Sequence, residues 1–184
     1  MKPPAALGTS RLRLRIPVLE DAPAIFESYA ADPEVTRFVS WKPHQNREVT
    51  EKFIESYCTA GWAKGDVFSW LITLAEDDQT AGMIDLRLSG CRTEMGYVLA
   101  RRFWRRGLMS EAARTVADWA IGVPEIHRVW AVVDLENVAS QRVLERAGMV
   151  REGVLRRWTV FPNLGSRPRD VLCFARVKDT ELPQ

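Results

Sequence analysis

Between Met95 and Ala112 the chain runs from an apolar, strand-like stretch (Met95 to Leu99) through Trp104-Arg105-Arg106-Gly107 into an amphipathic helix that begins Leu108-Met109-Ser110-Glu111-Ala112. A strand delivered through a basic, glycine-containing turn into a helix N-terminus is a form that holds phosphate. The first N–H groups of a helix have no intrahelical partner, and they and the helix dipole favour an anion. Gly107 lets the backbone approach without a Cβ in the way. Arg101, Arg102, Arg105 and Arg106 crowd the same turn. Either they form a solvated basic face, or an anion in the turn offsets their mutual repulsion and their opposition to the dipole.

Composition narrows the class only by exclusion. The chain has 184 residues, 46% of them hydrophobic, enough for one domain to bury a core without covalent staples. Its 26 basic and 24 acidic residues nearly cancel to +2, so bulk nucleic-acid binding is not expected. Cys58, Cys91 and Cys173 are odd in number and widely spaced, which predicts reduced thiols and neither a metal site nor a disulfide framework. No window approaches the roughly 18 apolar residues of a membrane span, and Met1 to Ser10 has no apolar run of a leader. No membrane association and a cytoplasmic location are therefore expected.

Periodicity lays out the elements. Leu12, Leu14 and Ile16 alternate with Arg11, Arg13 and Arg15, the pattern of a half-buried strand. A helix starts at Glu20-Asp21-Ala22-Pro23, and Asp32-Pro33 closes it or begins a short second one. Another helix spans Arg47 to Ala63. Val67 to Leu74, Ala81 to Leu88 and Thr93 to Leu99 form an antiparallel meander. The helix after Gly107 aligns Leu108, Ala112, Val116 and Ala120. Ile126 to Val133 is a strand, and Asn137 to Ala147 is a helix with Asn137 at its N-cap and Gly148 past its end. Met149 to Val160 and Asp170 to Val177 make a final hairpin. This order predicts one α/β (α+β) domain over 1–184, its core about Arg11 to Val177. Its sheet is mixed but largely antiparallel, six- to seven-stranded, flanked by about four helices, with one parallel pair beside a ligand cleft.

Four motifs, Glu-Met-Gly-Tyr (Glu94 to Tyr97), Gly-Leu-Met-x-Glu-Ala (Gly107 to Ala112), Asn-Val-Ala-Ser (Asn137 to Ser140) and Arg-Glu-Gly-Val-Leu-Arg (Arg151 to Arg156), fall in an order that resembles the GCN5-related N-acetyltransferase (GNAT) superfamily. The likeness is to the branch holding the ribosomal-protein-alanine N-acetyltransferases (RimJ/RimL type). The resemblance implies acetyl-CoA as co-substrate, direct acetyl transfer to a primary amine without a covalent enzyme intermediate, and no metal. It implies pyrophosphate contacts from the N–H groups of Arg105, Arg106, Gly107, Leu108, Met109 and Ser110. Backbone groups of Val98, Leu99 and Ala100 would meet the pantetheine arm and thioester carbonyl, with the parallel strands splayed there. Asn137 would bond the arm as well as cap its helix. The acceptor expected first is a protein N-terminus, and second a small amine such as a polyamine, amino acid or antibiotic; a homodimer is compatible. Trp104 and Met109 depart from the usual turn, Leu144 stands where many members have a proton-donating tyrosine, and Phe174 stands where another tyrosine is common.

Three residues leave alternatives open. Gly96, inside an apolar strand, marks either a bulge or a close approach. Glu94 shares its strand face and is either the base that takes a proton from the amine or a strand-end acid paired with Arg92 or another arginine. Ser140 lies on the stripe of Val143, Leu144 and Ala147, where its hydroxyl either protonates the departing thiolate and contacts the cofactor or bonds a carbonyl one turn back. Glu111 is a weaker candidate for the base, since the helix dipole already explains a first-turn acid; His44 is a loop histidine that could touch substrate, and His127 a structural residue. A non-catalytic CoA-binding module is the rival reading, supported by the absent tyrosine. A nucleotide-binding protein is disfavoured, because the turn lacks the Lys-Ser/Thr ending of a P-loop.

Overall fold

The computed structural model describes residues 2–178; Met1 and 179–184, the outermost positions of the expected domain, lie outside the described residues. Leu12 and Leu14 are fully buried while Arg13 reaches outward to Asp78 at 2.9 Å, as strict alternation requires of β2 (Leu12–Arg15). Before it lies β1 (Ala6–Gly8), antiparallel to β2 from Ala6↔Arg15 to Gly8↔Arg13. Among the described residues this strand makes the sheet eight-stranded, correcting the expected six to seven. Three residues ending in glycine carry no period to read, and it is the open edge of β2 that recruits them.

The remaining strands are β3 (Val67–Leu74), β4 (Thr80–Ser89), β5 (Arg92–Leu99), β6 (Arg128–Asp134), β7 (Val150–Thr159) and β8 (Arg169–Val177). Their order is β1-β2-β3-β4-β5-β6-β8-β7, antiparallel throughout except for β5 and β6. A parallel neighbour needs a crossover, and the helix α3 (Leu108–Gly122) supplies it. Its stripe of Leu108, Ala112, Val116 and Ala120 is buried as the spacing predicts. The other longer helical segments are α1 (19–30), α2 (47–64) and α4 (Val138–Arg146), and a single 3-10 turn covers Arg101–Phe103. Asn46 caps α2 by accepting the Val49 N–H at 3.0 Å, and Gly65, at φ 78°, ends it. Both α1 and α2 widen to π-helical geometry, over Phe26–Ala30 and Ile54–Thr59, a distortion common beside functional sites. Asp32-Pro33 closes α1 and no second helix follows; Asp32 O instead accepts both the N–H and the hydroxyl of Thr36. No helix among the described residues is long and apolar enough to cross a membrane.

β5 and β6 pair only at Arg92↔Arg128, Thr93↔Val129 and Glu94↔Trp130. Beyond Glu94 each follows its other neighbour: β5 stays on β4 to Gly82↔Leu99, and β6 stays on β8 to Asp134↔Val171. The sheet therefore opens between them. The β4 side of this opening is held close. A register shift between Ile72 and Thr73 leaves Ala81 as an extra residue of β4, and its carbonyl accepts the Ala100 N–H at 2.7 Å. A Cβ on the adjacent Gly82 would collide with the backbone carbonyl of Val98. Gly82→Ala is expected to lower unfolding stability by about 1–3 kcal/mol, because a strand backbone cannot swing aside as a side-chain tip can. Urea denaturation tests this, and a change within about 0.5 kcal/mol, the range of ordinary surface substitutions, would show that the β4–β5 approach is not tight.

Candidate active site

The opening between β5 and β6 leads into a cleft of about 1110 Å³ that reaches both faces of the sheet. That is more than the upper end of the roughly 300–1,000 Å³ a single small ligand occupies, and its two ends are chemically unlike. α3 and α4 flank one face, where Trp119 of α3 packs edge-on to Trp70 and Ser140 of α4 meets Tyr97. α2 covers the other, where Tyr57 meets Asp85.

At the first end the basic turn has the backbone form that the glycine suggested. Arg105 and Gly107 both take the left-handed conformation, at φ 61° and 75°, immediately before α3. Successive N–H groups of such a turn converge on an anion. Gly107, Leu108, Met109 and Ser110 all line the cleft. The turn is braced from a distant part of the chain: Arg11 Nη1 donates to the Arg106 carbonyl at 3.1 Å, and Arg11 and Thr9 both bind the Glu111 carboxylate. Glu111 is thus an anchor for α3. Three of the four arginines divide. Arg105 lines the cleft, whereas Arg102 donates to Thr80 O at 3.0 Å and lies over Phe103, and Arg106 lies over the same ring at 5.5 Å.

Two of the three residues whose backbone groups were expected to meet the cofactor arm need correction. The Ala100 N–H is spent on Ala81 and Ala100 is fully buried, so it offers nothing to the cleft. Strand alternation turns the backbone groups of Val98 toward β4 as well and leaves those of Tyr97 and Leu99 toward the opening. The indole of Trp104 takes the Leu99 carbonyl at 2.8 Å, which leaves the Leu99 N–H facing the gap.

Asn137 caps α4, its side-chain oxygen accepting the Ser140 N–H at 3.1 Å. Both residues line the cleft. The Ser140 hydroxyl does not bond a carbonyl one turn back; it lies 2.7 Å from the Tyr97 hydroxyl, which also reaches Ser140 O at 3.2 Å. Burial raises the Tyr97 phenol above its ordinary range, although its bond to Ser140 works the other way, so it is a neutral donor. A tyrosine is therefore present at this end, supplied by β5 where the family pattern looks for one on the helix. Phe174 is buried in the core.

At the other end, Asp85 and Arg87 of β4 stand opposite Gly96 and Glu94 of β5. Arg87 Nη1 binds Asp85 at 2.5 Å and Nη2 binds Glu94 at 3.1 Å. Glu94 thus takes the paired state, with Arg87 as its partner. Tyr57 completes the group, 3.4 Å from Asp85 and 3.5 Å from Arg87 Nη1. Gly96 marks a close approach and no bulge, since the β4–β5 register is unbroken and a Cβ there would sit 2.7 Å from Arg87 Nη1 and 3.0 Å from Asp85 Oδ1. Burial, reinforced by the Asp85 charge, pushes the Tyr57 phenol up to about 12. An aromatic wall continues from Tyr57 through Phe53, stacked at 5.3 Å, to His44 and Trp41. His44 lines the cleft with Nδ1 2.9 Å from Thr50 Oγ1, and burial lowers its pKa. His127 is exposed and outside the cleft.

Asp85, Arg87 and Tyr57 escaped the sequence reading, and Tyr97 entered it only as the end of the Glu94-to-Tyr97 motif, with no role of its own. For Asp85 the one available signal was an acid in the middle of the apolar run Ala81 to Leu88; for the others nothing pointed to a role, because each acquires it from a residue 2 to 43 positions away. Among the described residues no cluster could hold a metal, and all three cysteines are unbridged.

Comparison with known proteins agrees with this architecture. Residues 11–150 match the model of an acetyltransferase (GNAT) domain. YoaA of Bacillus subtilis (strain 168), an uncharacterized N-acetyltransferase, is 31% identical over 178 residues, covering 95% of this chain and 98% of the relative. Solved structures that share the fold include two acetyltransferase complexes. RimL, a ribosomal L7/L12 alpha-N-protein acetyltransferase in complex with coenzyme A, superposes with a TM-score of 0.83 at 20% identity, over 95% of this chain and 98% of RimL. The microcin C7 self-immunity acetyltransferase MccE, in complex with acetyl-CoA and AMP, does so with 0.83 at 18%, over 95% and 97%. With its splayed parallel pair and the turn at Gly107 on the page, and with matches that span most of its length, the chain belongs to the GNAT N-acetyltransferases.

Proposed function

We propose that this enzyme moves an acetyl group directly from acetyl-CoA to a primary amine, the preferred acceptor being the exposed α-amine of a protein or peptide N-terminus. The observation that carries this reading is the one opening between β5 and β6, which has a phosphate-type turn and a hydroxyl pair at one end and an acidic, aromatic-walled group at the other. The open cleft accommodates a chain end, and the fold shared with RimL, named for a protein N-terminus, supports that acceptor class.

The residues present fit acetyl-CoA: left-handed backbone at Arg105 and Gly107 ahead of α3 for the pyrophosphate, Asn137 and the Leu99 N–H for the arm, and Ser140 where α4 meets the opening. When bound, acetyl-CoA supplies an activated acyl carbon and a sulfur leaving group. The Leu99 N–H faces the gap in which charge on the thioester oxygen develops. Tyr97 can donate to the Ser140 oxygen, which frees the serine proton to turn toward sulfur. At the acceptor end a carboxylate of the Arg87 group, Glu94 being the one the sequence singled out, takes the proton that keeps an ammonium from attacking.

Gly107→Glu is expected to abolish CoA binding in calorimetry, since it puts bulk and negative charge where phosphate belongs; unchanged affinity would remove the turn from the site. Ser140→Ala is expected to leave CoA affinity near wild type and to slow single-turnover acetyl transfer on the order of 10²-fold, the usual scale of general acid catalysis. Tyr97→Phe is expected to slow the same step by a smaller factor. Equal single-turnover rates in all three proteins would make the pair structural and water the proton donor. A mass-spectrometric screen of peptides and small amines with acetyl-CoA tests the acceptor class, and acetylation of small amines alone would overturn the N-terminal assignment.

A further inference from the structure

The group on the α2 face contains two carboxylates and a single guanidinium, and their places differ. Glu94 stands at the last paired position of β5, opposite Trp130 of β6, before the opening begins. Asp85 stands opposite Gly96, beyond that point, where the missing side chain lets the Asp85 carboxylate and the Arg87 guanidinium lie close over the strand. Arg87 lies between them and holds one with each terminal nitrogen. With two negative charges against one positive, the group keeps an excess negative charge facing the cleft, which draws an ammonium toward it. The Asp85 side chain is 16% exposed against 29% for Glu94, so it is the deeper of the two.

We propose that Asp85, and not Glu94, is the catalytic residue that takes the proton from the acceptor ammonium, with Arg87 and Tyr57 as positioning residues that aim its carboxylate at the opening. The proposal rests on the acetyl-transfer reading of the cleft and assigns a role within it. The groups facing Asp85 are Tyr57 and Cys58 from α2, Arg87 on its own strand and Glu94 from β5, while β3 presents only Ser69. Burial pushes the Asp85 carboxyl up to about 6. Arg87 opposes this, Glu94 adds to it, and bonds from the Tyr57 hydroxyl and the Gly96 N–H oppose it. The carboxylate is thus ionised at neutral pH yet basic enough to accept a proton.

The step balances as follows. One ammonium proton passes to the Asp85 carboxylate and on to water, and the freed nitrogen lone pair forms the C–N bond. The C–S electron pair leaves on sulfur, which is protonated through Ser140. The nitrogen's second surplus proton restores the hydroxyl pair, so one proton is released in all.

The test measures kcat/KM of the full-length protein between pH 5 and 9 with acetyl-CoA and one peptide that the wild type acetylates. Wild-type activity should fall below about pH 6, where Asp85 becomes protonated. Asp85→Asn should lower the rate at pH 7 on the order of 10²-fold and lose this acid limb, its rate then climbing with pH as the amine deprotonates unaided. CoA affinity should hold, which shows that the variant is folded. Glu94→Gln should keep the limb, because Asp85 remains. Tyr57→Phe removes a bond that favours the ionised form and should move the limb to higher pH, a readout independent of whether the Asp85 variant folds. Loss of the limb in Glu94→Gln together with its retention in Asp85→Asn, or an unmoved limb in Tyr57→Phe, overturns the assignment while leaving acetyl transfer intact. A wild-type protein that acetylates no amine in the screen instead overturns the acetyl-transfer reading on which the assignment stands.

Discussion

Two parallel strands that stop pairing after three residues set the terms for the rest of this molecule. Buried backbone N–H and C=O groups left without partners are costly, so an interior sheet opens only where something else holds its strands apart and something else meets the exposed edge. Here β4 holds β5 and β8 holds β6, each along nearly its whole length. The end of β6 is fixed further by Asp134, whose carboxylate has no exposed surface, binds Arg169 of β8 through both oxygens and accepts the Glu136 N–H. The bond from Trp104 to Leu99 meets part of the freed edge of β5.

Because the opening passes through the sheet, strand alternation separates the chemistry without any further device. Tyr97 points to the α3 and α4 side and meets Ser140; Gly96, its neighbour, lies on the side of Asp85, Arg87 and Tyr57. In the proposed transfer, adjacent residues of one strand would face its two ends, proton delivery on one face and proton removal on the other. The two ends also differ in electrical character. Helix N-termini and arginine at the first favour a phosphate, while the excess carboxylate at the second favours an ammonium.

The turn at Gly107 shows how distant residues preserve a local form. A non-glycine residue with positive φ, such as Arg105, persists where its surroundings hold it. Arg11 from the start of β2 does so by binding both the Arg106 carbonyl and Glu111 of the first helical turn. The same contact ties the start of the chain to the basic-turn end of the cleft.

The sequence by itself determined the elements that local physics controls. Alternation marked β2, the small apolar stripe marked α3, Asn137 and Gly148 bounded α4, and the arginine-glycine run marked the turn that leads into α3. The meander and the final hairpin followed from turn chemistry, and the order of motifs carried the family. What tertiary structure decided were matters of pairing between distant residues. β1 exists because β2 has an edge to offer. Ala100 is lost to the cleft because a bulge at Ala81 consumes its N–H, and a bulge's hydrogen bonds are not written in either strand alone. Glu94 could be judged an acid on the right face, but whether it stood free depended on Arg87, seven residues away and across a strand pair. Asp85 passed as an ordinary strand residue and Tyr97 as a motif residue without a role, since a side chain acquires a shifted proton affinity only from the burial and partners that folding brings to it.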